Sequence, residues 1–134
     1  MLVAEIAEPR QEIDIEITGN DPNRMMVNVY FNPGDEGTAV GYGYRGSPYR
    51  IDLGFDATSD FHHYAIDWQP DHITWLVDGK VVHRRKSWDP TPIPHLPMHL
   101  HGNLWVPRSE ELAGPINESM LPANSTFRNI KIWT

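Results

Sequence analysis

The sequence contains no cysteine. No disulfide can staple its fold, and the redox compartment cannot be read from it. Positive charge is scarce as well. Eleven Lys and Arg stand against 18 Asp and Glu, a net charge of −7, and the largest basic cluster is "RRK" at Arg84 to Lys86. A nucleic-acid or anionic-membrane partner is not expected of such a chain. Its field repels polyanions at long range, so neutral partners fit better. No apolar run approaches the ~20 residues needed to span a bilayer. The opening "MLVAEIAEPR" lacks the basic start and long apolar centre of an export signal. Either this form is not exported or its signal has been removed, and localisation stays open.

What the chain does have is punctuation: twelve prolines and ten glycines in 134 residues. Period-two alternation recurs between the breaks, in "QEIDIEIT", "MMVNVYF", "TAVGYGY", "YRIDLGF", "FHHYAIDW", "HITWLV", "KVVHRR", "MHLHGNLW" and "TFRNIKIWT". Asp78-Gly79 between two β-rich runs predicts a tight hairpin turn with positive φ at both residues. "RSEELAG" can form a single helical turn, and no linker divides the chain. About nine short strands with almost no helix predict one all-β domain over residues 1–134, an antiparallel β-sandwich. Trp68 and Trp75 are expected in its packing.

The most informative stretch is "EIDIE". Residues two apart on a strand share a face, so Glu12, Asp14 and Glu16 form an acidic row ~6.6 Å apart along one side, with Ile13, Ile15 and Ile17 on the other. Unpaired carboxylates are too costly to bury, which rules out a core face. Two readings remain: a solvated charged surface, or a carboxylate pair for glycoside hydrolysis. A retaining enzyme needs its two carboxyls ~5–5.5 Å apart, one as nucleophile and one as acid/base. The Cα atoms of Glu12 and Glu16 lie ~13 Å apart on a straight strand, so that reading requires a bend and inward-leaning side chains.

"EIDIE", the block "LGFDATSDFHHYAIDWQPDHITWLVDGKVVH" from Leu53 to His83, and "MHLHGNLW" from Met98 to Trp105 resemble, in this order, glycoside hydrolase family 16, which includes lichenases, laminarinases and xyloglucan-active enzymes. The resemblance implies a concanavalin A-like jelly roll, truncated here on its N-terminal side, because relatives carry the acidic strand near the middle of a longer domain. It implies Glu12 as nucleophile, Asp14 as its assistant and Glu16 as general acid/base. It also implies a concave groove lined by Asn28 and Tyr30 on one strand and by His99, His101, Asn103 and Trp105 on another. Trp105 would stack on a pyranose while the amides and phenol hydrogen-bond its hydroxyls.

The implied activity is a retaining endo-β-glucanase on neutral β-1,3- or mixed-linked β-1,3-1,4-glucan, with transglycosylation as a variant of the same site. The alternatives are a non-catalytic, lectin-like carbohydrate-binding module and an inactive fragment. No cofactor is expected. His99 and His101 share a face, but nothing specifies the third ligand a catalytic zinc requires. Where many relatives carry a structural calcium beside an Asp, this sequence has Arg128, and where many have Trp before the nucleophile it has Arg10. Relatives are typically secreted. A half-sandwich leaves strand edges and apolar faces open, so self-association or strand exchange is expected to cover them.

Overall fold

Alternation and turn chemistry build the first sheet. In the computed structural model, which describes residues 10–32, 47–106 and 110–133, strand β1 spans Arg10–Ile17 and β2 spans Arg24–Asn32. The turn between them closes through Asp21 N–H to the Thr18 carbonyl at 3.1 Å and Arg24 N–H to the Asp21 carbonyl at 3.2 Å. β1 and β2 pair antiparallel with Ile13 opposite Val29, Ile15 opposite Val27 and Ile17 opposite Met25. β3, Tyr49–Asp52, adds to the far side of β2 and sets Ile51 beside Met25. All apolar members of these pairs lie on one face of the β1-β2-β3 sheet.

The second sheet has the order β4-β5-β6, with β4 at Tyr64–Trp68, β5 at His72–Val77 and β6 at Lys80–Lys86. Asp78 (φ 50°) and Gly79 (φ 77°) make the tight β5–β6 turn that the Asp-Gly dipeptide predicts. The register slips by one residue between Trp75 and Leu76. Val81 faces Leu76 and His83 faces Trp75, so Val82 is the extra residue of a bulge on β6. That slip puts His83 and Arg85 on the inner face, where unbroken alternation would have put Val82 and Arg84.

The two apolar faces meet. Met25, Val27, Val29 and Ile51 from the first sheet pack with Ile73, Trp75, Val77 and Ile93, each 8% exposed or less. Trp75 packs as its sequence pattern predicts. Trp68 differs: it lies across from Ile73 on the inner side of edge strand β4, donates its indole N–H to the Pro94 carbonyl at 2.8 Å, and stays 39% exposed. Its neighbour on that face, Ile66, is 40% exposed. The inner face of β4 thus lacks full cover among the described residues.

The chain divides into two compact units, Met1–Met98 and His99–Thr134. Both sheets belong to the first. In the second, α1 at Glu110–Ala113 forms the single turn expected of "RSEELAG", closed by Gly114 N–H to the Glu110 carbonyl at 2.8 Å. A 3₁₀ turn follows at Glu118–Met120. The strands expected over "MHLHGNLW" and "TFRNIKIWT" are not formed in the described residues, whose side chains there are exposed apart from Met98. Alternation fixes which side chains share a face, but a strand also needs a neighbour to complete its ladder. The strand expected at "TAVGYGY" lies outside the described residues.

Candidate active site

β1 presents Glu12, Asp14 and Glu16 on the outer face of its sheet, each half-buried. Their cross-strand neighbours on β2 are Tyr30, Asn28 and Met26 respectively. Direct antiparallel partners hold their Cβ atoms ~4.5–5.5 Å apart, so these pairs form one continuous surface. Asn28 is only 5% exposed, and its Oδ1 accepts the Val29 N–H at 3.0 Å. It stands beside Asp14 on the same face and is almost closed to solvent.

Glu16 has the perturbed chemistry. Burial raises its pKa above the ordinary carboxylate value, and the charge of Glu12 raises it further. A shallow hollow beside Glu16 is walled by Thr18, Asp21, Arg24, Met26 and Arg50. Arg24 is engaged by Asp21, with 2.5 Å between its Nη2 and Asp21 Oδ2.

Two inner-face side chains that sequence reasoning did not single out for the site hold β1 in place. The Trp75 indole N–H crosses from the opposite sheet to the Asp14 carbonyl at 3.3 Å. Gln11, 9% exposed, accepts the His95 N–H at 2.7 Å and the Leu96 N–H at 3.0 Å on one amide oxygen. The sequence signal for Gln11 was its parity: a polar residue in phase with Ile13 and Ile15 must find partners inside. For Trp75 the signal was the core pattern of "ITWLV", which says nothing about the indole N–H.

The other expected site residues, His99, His101, Asn103 and Trp105, belong to the second unit and are exposed. The His99 and His101 rings meet edge to face with centroids 6.3 Å apart. Among the described residues no group of three or more His, Cys, Asp or Glu is arranged to hold a metal ion.

The family model for glycosyl hydrolases family 16 matches residues 1–118. A beta-glucanase of Brevibacillus brevis is 38% identical over 98 residues, covering 73% of this chain and 32% of that protein. A beta-glucanase of Paenibacillus polymyxa is 42% identical over 94 residues, covering 70% of this chain and 34% of that protein. Among solved structures, Bacillus licheniformis beta-glucanase aligns with a TM-score of 0.54 at 37% identity, covering 67% of this chain and 36% of its own. A beta-1,3-1,4-glucanase (lichenase) from a mouse hindgut metagenome aligns with a TM-score of 0.51 at 41% identity, covering 65% and 35%. The chain spans about a third of the length of these relatives. With antiparallel sheets of jelly-roll type and an acidic row on one outer face, the chain belongs to glycosyl hydrolases family 16.

Proposed function

We propose that this chain carries the catalytic strand of a retaining β-glucanase. Glu12 attacks the anomeric carbon, Asp14 supports it, and Glu16 first protonates the leaving oxygen and then, as base, activates the water that releases the sugar. The observation that carries the reading is the row itself: three half-buried carboxylates on one outer face of β1, with Tyr30 opposite Glu12 and with burial, then the Glu12 charge, pushing the Glu16 pKa up. A general acid gains from a raised pKa, and burial, assisted by a neighbouring carboxylate, moves Glu16 in that direction. The relatives' name, beta-glucanase, supports a neutral glucan as substrate. Tyr30 stands beside Glu12 and Asn28 beside Asp14 as the proposed sugar contacts on β2. His99, His101, Asn103 and Trp105 are offered for further sugar contact because they are exposed and of the right chemistry.

Glu12→Gln should abolish release of reducing sugar from mixed-linked glucan and from laminarin, and detection of the first anomer should report retention. Unchanged hydrolysis in Glu12→Gln overturns the assignment. A second reading, saccharide binding without turnover, draws on β1 lying at a sheet edge among the described residues, which leaves the acidic row open on one side. Oligosaccharide binding with no hydrolysis by the unaltered chain would select it.

Self-association belongs to the same proposal. Ile66 and Trp68 leave an apolar inner face partly open beside the β4 edge, and a second copy would cover it. Sedimentation should give the mass of a dimer, and a monomer at every concentration refutes this part alone.

A further inference from the structure

The face of the β4-β5-β6 sheet that points away from the core carries features with no part in the proposed hydrolysis. Asp71, His72, Arg84, Lys86 and Ser87 surround a hollow of about 400 Å³. The register explains why they gather. His72 faces Lys86 and Thr74 faces Arg84, so these side chains project opposite to Ile73 and Trp75. The groups are held in place. His72 Nδ1 lies 2.7 Å from Asp71 Oδ1, and Arg84 Nε donates to Thr74 Oγ1 at 3.1 Å. The His72 contact, first, and the Arg84 charge, last and least, both draw the Asp71 pKa down, leaving a carboxylate ready to accept hydrogen bonds.

The next residue after Ser87 is Trp88, whose indole is 74% exposed. Its backbone sits at φ 64°, a region bulky side chains rarely adopt. The surrounding loop enforces this conformation. Ser87 N–H bonds the Asp71 carbonyl at 2.9 Å and Trp88 N–H bonds the Thr91 carbonyl at 2.8 Å. From beneath, the Arg85 guanidinium, on a residue 5% exposed, donates to the Asp89 and Thr91 carbonyls at 3.0 Å each and to Thr91 Oγ1. A buried cation thus fixes a loop whose one large apolar side chain is turned to water, the pattern of a rigid presenting loop.

The chemistry selects the ligand. A polyanion meets the Asp71 carboxylate and a net charge of −7. A cation meets Arg84 and Lys86. A neutral sugar uses both sets, since its hydroxyls donate to Asp71 and accept from Arg84 and Lys86, while an apolar pyranose face suits an exposed indole. The hollow is open to solvent, which suits one or two units of a longer chain lying across it more than an enclosed small molecule. We propose that this outer face is a second, non-catalytic saccharide site, in which Asp71, Arg84 and Lys86 hydrogen-bond one or two units of a neutral glucan chain and Trp88 stacks on it. The two sheets of the sandwich separate it from the acidic row, so both can be occupied at once. It stands whether or not Glu12 and Glu16 perform hydrolysis.

The test is a titration of the full chain with laminaritriose and with cellotriose, followed by amide and indole NMR. Saturable shifts are expected at the Trp88 indole N–H and at the amides of His72, Lys86 and Ser87, with a Kd on the order of millimolar, as for a small polar ligand in an open site. They should persist in Glu12→Gln, weaken at least about tenfold in Trp88→Ala, an exposed position whose unchanged spectral dispersion will confirm folding, and recover in part in Trp88→Phe. Arg84→Ala should weaken binding independently. Shifts confined to β1 and β2, an unaltered Kd in Trp88→Ala, or tighter binding of an oligoglucuronate than of either neutral trisaccharide would each overturn the proposal.

Discussion

Replacing Trp75 with Phe tests whether the core of the sandwich holds the acidic strand in place. The indole is 1% exposed, and its N–H reaches the Asp14 carbonyl at 3.3 Å. Phe keeps an aromatic ring in the core but removes the donor. It also removes roughly 40 Å³ of side chain, and at ~24 cal/mol per Å³ the void costs about 1 kcal/mol. The lost hydrogen bond adds about 0.5–1 kcal/mol, at the lower end of the usual range because it is long. The sum is about 1.5–2 kcal/mol. With an m-value of about 1–1.5 kcal/mol/M, the urea midpoint should fall by about 1–2 M with an unchanged slope. Hydrogen exchange should quicken along β1 more than along β4, because the crossing bond ends on Asp14. An unchanged midpoint, or exchange that quickens equally on both strands, would show that Trp75 only fills space.

Three further outcomes follow from charge and backbone. His83 is stacked on Tyr49, with ring centroids 4.3 Å apart, and lies 5.4 Å from Trp75; burial first and Arg85 second push its pKa below the ordinary value of 6.5. The unfolded chain therefore binds this proton more readily, so the stability His83 contributes is complete above about pH 6.5 and lost as pH falls through the folded value. His83→Phe should flatten that part of the urea midpoint against pH. Glu16 has the opposite sign. Its raised pKa means the folded state keeps the proton longer, so stability falls as pH climbs from the unfolded carboxylate value through the raised one. Glu16→Gln should raise the urea midpoint near neutral pH and leave it unchanged in acid below both values. Gly79 has φ 77° with open space where a Cβ would be, so Gly79→Ala should cost about 1–2 kcal/mol from backbone strain alone, read in the same denaturation assay.

The sequence was legible wherever a two-residue period met a two-sided environment. The phase of "EIDIEI" against "MMVNVYF" placed the acids on one face and the isoleucines on the other, where Ile13 and Ile15 pack against the core, and the observed pairing of Ile13 with Val29 follows it. The Asp78-Gly79 turn was legible because few residue pairs accept two positive φ values. Three features were not. The β6 bulge leaves no mark in "KVVHRR", yet it decides that His83 rather than Arg84 faces inward. The Gln11 amide shows its parity but not the His95 and Leu96 N–H groups it meets, more than eighty residues on. "MHLHGNLW" and "TFRNIKIWT" alternate as strands do, but alternation does not provide a partner.

These anchors grade β1 along its length. At its start Gln11 is 9% exposed and tied to the loop at His95 and Leu96, and at its middle the Trp75 indole holds Asp14 from behind. At its end Ile17 is 37% exposed, and beyond Asp14 no comparable crossing bond from the second sheet is found among the described residues. The proposed nucleophile and its assistant thus lie on the restrained half, and the proposed acid/base on the freer half, beside a shallow hollow. That order suits the chemistry. A nucleophile gains from fixed geometry at one carbon, whereas an acid/base must serve first a leaving oxygen and then a water in a different place. Loosening the first half through Gln11 should therefore damage turnover more than an equal loss of stability introduced at Gly79, where only the distant β5–β6 turn is strained.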